Sequence, residues 1–174
     1  NGLKRQNIRK SPINNIRREK RLVNEKLGSW EVRNYAASQA DSAWIWNKYF
    51  EYKKVTHNVD YRLSPVEYCE KYHVTDLYVL HIGQDKKIGA IVLSCEQCSI
   101  AYIENLTYDT DLASFSLGQI LYNEYLAYLI KKEIKEVYLL GGDYPYKKRY
   151  GSIEEIVYDG RIYRNKIAEN ADIL

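Results

Sequence analysis

The chain has 174 residues, 45% of them hydrophobic and 28% charged, with a formal net charge of +3. This length and balance suit one globular domain with its own core, and exclude a low-complexity or disordered chain. No run of about 18 apolar residues occurs, so no membrane-spanning helix is expected.

The charge is unevenly placed. Lys4, Arg5, Arg9, Lys10, Arg17, Arg18, Lys20, Arg21 and Lys26 face only Glu19 and Glu25 in the same stretch. Such a run is either a solvated terminal helix or a surface for an acidic partner. Tyrosine supplies 18 of the 23 aromatic residues, which suits half-wet surfaces where a ring packs and a hydroxyl finds a partner. The chain starts at Asn1 and holds no methionine, as expected of a trimmed or incomplete protein.

In chain order, residues 1–12 read as a basic, polar tail, and 13–174 as one domain. "INNIRREKRLVNEKLG" spaces Ile13, Ile16, Leu22, Val23 and Leu27 near the helical period, and Gly28 stops it. "SWEVRNY" alternates as a strand. A helix follows after Ser38 or Asp41, with Trp44, Ile45, Tyr49, Tyr52 and Val55 marking its face. "SPVEYCEKYH" reads as a second short helix, with Ser64 as cap and Pro65 at its first position.

Three strands come next: "DLYVLHIG", "KKIGAIVLSC" and "SIAYIENLTYD", the first two joined by the turn "GQDKK". "SLGQILYNEYLAYLIKKEIK" is the clearest helix, "EVYLL" a short strand, and "EIVYDGRIYR" a terminal hairpin around Asp159-Gly160. The order predicts an α+β (mixed α/β) fold with a mostly antiparallel central sheet flanked by helices.

Cys95 and Cys98 form C-x-x-C, but no second pair or nearby His pair completes a zinc site, so they read as thiols flanking a turn. With Cys69 the count is odd, which points to a reducing, cytoplasmic compartment. His73 ends a helix and reads as a partner for its negative end, and His81 reads as structural within a strand.

The junction at residues 108–121 carries the chemistry. A helix start offers unpaired N–H groups and a positive dipole end, Gly118 permits close approach, and Ser114 and Ser116 add hydroxyls. These features cap a helix or hold phosphate. The strand before it alternates so that Glu104, Leu106 and Tyr108 share one face, and Asp109 ends it. Glu104 is either a base or half of an ion pair; Asp109 is either a base or a cap.

Tyr108, Asp109, Ser116, Gly118, Leu121, Gly141, Gly142, Asp143, Tyr146, Lys147, Tyr150 and Gly151 fall in the pattern Y-D…S-x-G-x-x-L…G-G-D-x-x-Y-K-x-x-(W/Y)-G. On these residues the chain resembles the GNAT acyltransferase superfamily, and within it the branch related to Fem-type transferases and polysaccharide-associated acetyltransferases. The resemblance spans roughly residues 13–164. Its phosphate loop departs from the family's Q/R-x-x-G-x-G/A: only Gly118 remains of the glycines, and Leu117 replaces the usual Pro.

The resemblance implies a GNAT-like sheet with splayed strands, and a donor that is acetyl-coenzyme A or another acyl-coenzyme A. Ser114 and the backbone of Ser116, Leu117, Gly118 and Gln119 would hold its pyrophosphate, beside Leu106, with Lys147 on its phosphates. The pantetheine arm would run between strands 99–108 and 136–140. An amine acceptor, an amino sugar or envelope precursor, would attack the thioester directly. Glu104 or Asp109 would take its proton, and Tyr146 would protonate the thiolate. His57, Asp143 and Tyr144 would contact the acceptor. The alternatives are an aminoacyl-tRNA or acyl-carrier-protein donor meeting the basic helix, and a non-catalytic binding domain of the same fold.

Overall fold

The computed structural model describes residues 10–57 and 62–139, together with Lys147 and Ile153. Helix α1 (Lys10–Lys26) opens three residues before the expected start at Ile13. Pro12 falls in its first turn, where a missing N–H costs nothing. Ile16 and Val23, two turns apart, are buried, while Arg17, Arg18 and Arg21 stay in solvent. Gly28 then takes a φ of +90°, which lets the chain turn into β1 (Trp30–Ala36).

A 3-10 turn at Ala40–Ser42 leads into α2 (Ala43–His57). The Ser42 hydroxyl knits this turn, reaching the carbonyl oxygens of Ala37 (3.0 Å) and Gln39 (2.6 Å). The buried stripe of α2 is Ile45, Trp46, Tyr49, Tyr52 and Lys53. Trp44 and Val55, expected on that face, are 45% and 65% exposed. Residues 45, 49 and 53 lie at successive i,i+4 steps and keep to one side. Residue 55 is two past 53 and so faces away.

Helix α3 (Pro65–Tyr72) begins as its sequence specifies. Ser64 accepts from the Glu67 amide, and the Glu67 carboxylate accepts from the Ser64 amide at 2.7 Å, a full capping box. Ser64→Ala removes half of it and should cost about 1 kcal/mol in urea denaturation, the usual worth of a cap. A loss below about 0.3 kcal/mol would show that Glu67 alone fixes this helix start. His73 follows in the left-handed region (φ 54°) as the helix's C-cap.

Strands β2 (Asp76–Ile82), β3 (Lys87–Gln97) and β4 (Ile100–Tyr108) form an antiparallel meander after β1. β3 runs through Cys95, which pairs with Tyr102. Cys98 (φ 51°) and Ser99 (φ 67°) make the turn itself, with the two positive φ angles of a tight hairpin. All three cysteines are free thiols. A 3-10 segment (Thr110–Phe115) and helix α4 (Leu117–Lys131) then carry the chain to β5 (Glu136–Leu139), which lies parallel to β4. The sheet order is β1-β2-β3-β4-β5. Only the last pair needs a helical crossover, and α4 supplies it.

The sheet divides two cores. On one face α1 and α4 bury Val23, Leu117, Leu121 and Tyr125 against Leu80 and Val92. On the other α2 and α3 bury Trp46, Tyr49 and Tyr68 against Leu77, Ile91 and Leu93. Tyrosine hydroxyls inside find partners: Tyr49 and Tyr68 join at 2.9 Å, and Tyr52 donates to the Ile88 carbonyl at 2.6 Å. His81 is structural as expected, buried with one ring nitrogen on Tyr35 and the other at the Lys86 carbonyl, both at 3.0 Å. No helix among the described residues is long and apolar enough to cross a membrane. The expected hairpin around Asp159-Gly160 lies outside the described residues.

Candidate active site

β4 is where the two faces of the sheet come together chemically. Its pairing with β3 shifts by one residue: Leu93 faces Asn105 and Ser94 faces Ile103, so Glu104 is an extra residue without a partner. Such a bulge reverses the side-chain alternation beyond it. The expectation that Glu104, Leu106 and Tyr108 share a face is therefore corrected. Leu106 packs with the α4 core, and Leu106 and Tyr108 lie against Gly118. Glu104 is turned to the α2 side, where it meets the field of Lys53.

The same point ends the pairing of β4 with β5. The parallel ladder runs from Ile100 with Glu136 to Ile103 with Leu139. Beyond it, β4 continues for five residues to Tyr108 with no β5 partner among the described residues.

Gly118 sits at the start of α4 under the Tyr108 ring. A Cβ there would stand 3.2 Å from Tyr108 Cδ1 and 3.5 Å from Leu106 Cδ2. The glycine thus lets the helix start close on the end of β4. Ser116, just before the helix, holds a φ of 54° and makes no side-chain cap. Its amide donates to Ala113, and the amides of Gln119 and Ile120 both donate to its carbonyl. The amides of Leu117 and Gly118 remain for an anion, among the described residues. The Leu117 side chain itself is core, 1% exposed, so only its backbone can serve a ligand. Ser114 and Gln119 are exposed beside it.

Asp109 is engaged. One carboxylate oxygen accepts from the Asp111 amide at 3.0 Å, capping the 3-10 segment, and the other pairs with Lys87 at 2.7 Å. Glu104 is freer. Burial raises its pKa above the ordinary value, and the Lys53 charge partly offsets this. Lys53 was not foreseen. It lies 3% exposed on α2, and burial pushes its pKa down to about 8, with Glu104 opposing the fall. Its position four residues after Tyr49 on the apolar stripe was the available signal.

Lys147 is buried and donates to the Leu139 carbonyl at 3.1 Å, at the end of β5. His57 is the last residue of α2. Asp143, Tyr144 and Tyr146 lie outside the described residues. The structure therefore brings together Glu104, Leu106, Gly118 and the α4 amides around the end of β4, with Asp109 beside them as a cap.

Residues 10–148 match a family model described as an acetyltransferase (GNAT) domain. Among solved structures, the chain is similar to an aminoglycoside acetyltransferase from an uncultured soil metagenomic sample, in complex with trehalose. The identity is 15% over 78% of this chain and 97% of that one, with a TM-score of 0.54. It is also similar to a GNAT family acetyltransferase of Staphylococcus aureus (12% identity, 78% and 99% covered, TM-score 0.51). A third is the ribosomal-protein-S18-alanine N-acetyltransferase of Escherichia coli (14%, 70% and 75%, TM-score 0.50). At these identities the likeness shows the fold. No curated protein sequence matches the chain significantly.

Proposed function

The chain belongs to the GNAT acetyltransferase domain family, an acyl-coenzyme-A-dependent enzyme family, and from that premise we propose that it moves an acyl group, most simply acetyl, from acyl-coenzyme A to an amine by direct attack. The observation that carries this reading is the bulge at Glu104. It puts a carboxylate on one face of β4 and leaves the other face, with Gly118 and the α4 amides, for the donor.

In this reading the pyrophosphate sits on the amides of Leu117 and Gly118, flanked by Ser114, Ser116 and Gln119. The pantetheine arm follows β4 past Leu106, where pairing with β5 has ended. Glu104 takes a proton from the acceptor ammonium. The amine nitrogen bonds to the thioester carbon, the C–S bond breaks, Tyr146 gives a proton to the thiolate, and the second nitrogen proton, shed as the amide forms, restores Tyr146. Asp109 serves as a cap rather than a base. Lys147 holds the end of β5, and His57, Asp143 and Tyr144 meet the acceptor. An amino sugar and an envelope precursor are both acceptors of this class.

A coenzyme A donor is favoured over tRNA or a carrier protein. The exposed cations of α1 are partly neutralised, Arg18 by Glu19 at 2.8 Å and Arg21 by Glu25 at 3.5 Å.

The test is calorimetry with acetyl-coenzyme A on the wild type and Gln119→Glu. A carboxylate in the first turn of α4 favours the helix, so folding holds. It also repels a phosphate on the neighbouring amides, and affinity should fall about 10-fold or more. Equal affinity in both proteins would remove the phosphate from this helix start, and no binding at millimolar donor would sink the reading.

A further inference from the structure

The lysines of this protein are generally paired where they approach its core. Lys87 pairs with Asp109, Lys132 with Glu96, and Lys20 with Glu124. Among the described residues Lys53 differs. It is far more buried than any of these, yet its ammonium makes no hydrogen bond or ion pair among the described residues. A buried cation left in this way costs folding free energy, which the Glu104 charge offsets only in part.

Glu104 is the opposite charge that Lys53 feels, and the two stop short of an ion pair. A third polar group shares their side of the sheet. The Thr107 hydroxyl, on a residue 2% exposed and paired in the ladder with Ile91 of the α2 core, also lacks a partner among the described residues. This side of the sheet, between β4 and α2, thus holds a carboxylate, an ammonium and a hydroxyl, with no bond between them among the described residues.

Charge balance says what fits there. Lys53 and Glu104 together are neutral. An acceptor amine arrives as an ammonium, and alone it would leave an excess positive charge in a half-dry site. A carboxylate on the same molecule cancels that excess. We propose that the acceptor is an amino-carboxylate, whose ammonium meets Glu104 while its carboxylate meets Lys53. This rests on the acetyltransferase reading above, and makes Lys53 the residue that determines specificity.

Proton and bond changes balance without a further reactant. The ammonium gives one proton to Glu104, the C–N bond forms and the C–S bond breaks, and the second nitrogen proton, shed as the amide forms, replaces the one that Tyr146 gives up. The thiolate takes a proton from Tyr146, and the product keeps its carboxylate on Lys53. Amines without an acid group, plain amino sugars among them, would be poor acceptors.

The experiment measures thiol release from acetyl-coenzyme A with the common L-amino acids and their carboxamides. Wild type, Lys53→Met and Lys53→Arg are compared. At least one acid should exceed its carboxamide in kcat/KM by about 10- to 100-fold, the worth of a charged hydrogen bond. Lys53→Met should abolish the acid's preference over its carboxamide, bringing the ratio of the two kcat/KM values close to one. Lys53→Arg, which keeps the charge, should retain the preference. Equal use of acid and carboxamide by the wild type overturns the inference. So does an equal loss on both in Lys53→Met, the sign of a purely structural lysine. Transfer to glucosamine but to no amino acid overturns it while the acetyltransferase reading stands. Binding of acetyl-coenzyme A without transfer to any amino acid does the same. Absence of both binding and transfer brings down the two together.

Discussion

Glu104→Gln is expected to lower kcat/KM by about 10²- to 10⁴-fold, the usual contribution of a positioned base. The substitution keeps the shape and removes both the ability to take a proton and the negative charge that faces Lys53. Donor binding should be unchanged, because Glu104 lies on the opposite face of β4 from Gly118. The pH profile carries a second signature. A base must be ionised to act, so wild-type activity rises with pH through the carboxyl's pKa. Burial places that midpoint above the ordinary glutamate value of 4.5, with Lys53 holding it back. The variant should lose this rising limb. A pH–rate series on both proteins decides it: a limb that survives unchanged, at near wild-type rate, assigns proton removal to another group.

Trp46→Ala should cost about 3–5 kcal/mol in urea denaturation, the range for truncating a buried tryptophan. Trp46 is 1% exposed and stands among rings: Phe50 stacks at 5.6 Å, Tyr49 meets it edge-on at 5.6 Å, and Tyr68 lies at 5.4 Å. Its indole N–H donates to the Ala37 carbonyl at 2.9 Å. That carbonyl keeps the Ser42 hydroxyl, so the cost is a cavity rather than an orphaned oxygen. Domains of this kind hold only about 5–15 kcal/mol in all, so the variant should lose about a fifth of its stability or more. Lys53 lies two helical turns beyond Trp46, and activity should fall alongside stability. A loss under about 1 kcal/mol would mean that the aromatic cluster closes over the gap.

Much of this fold was legible because local signals agreed. The strands of the meander, the helix at 117–131 and the Ser64 cap each rested on two independent cues, periodicity and punctuation. The bulge at Glu104 was not legible. "YIENLTY" alternates acceptably in either register, and only the partner strand shows which residue is extra. That one slip moved Glu104 away from Leu106 and Tyr108. Lys53 escaped because a charged residue on an apolar stripe reads as surface, and Val55 was counted inward for the opposite reason. The helix start after Ser116 was readable from the sequence, but not the way the Ser116 carbonyl already engages two of the amides.

The hairpin at Cys98-Ser99 has a practical use. Its thiol is exposed at the tip of a turn, while Cys69 and Cys95 are partly covered and burial raises the Cys69 pKa. From that tip β4 runs nine residues to Tyr108, about 30 Å at strand rise. A maleimide dye or a surface tether on Cys98 would therefore sit at the far end of the molecule from the α4 helix start. The enzyme could be immobilised, or watched as single molecules, by a handle it already carries.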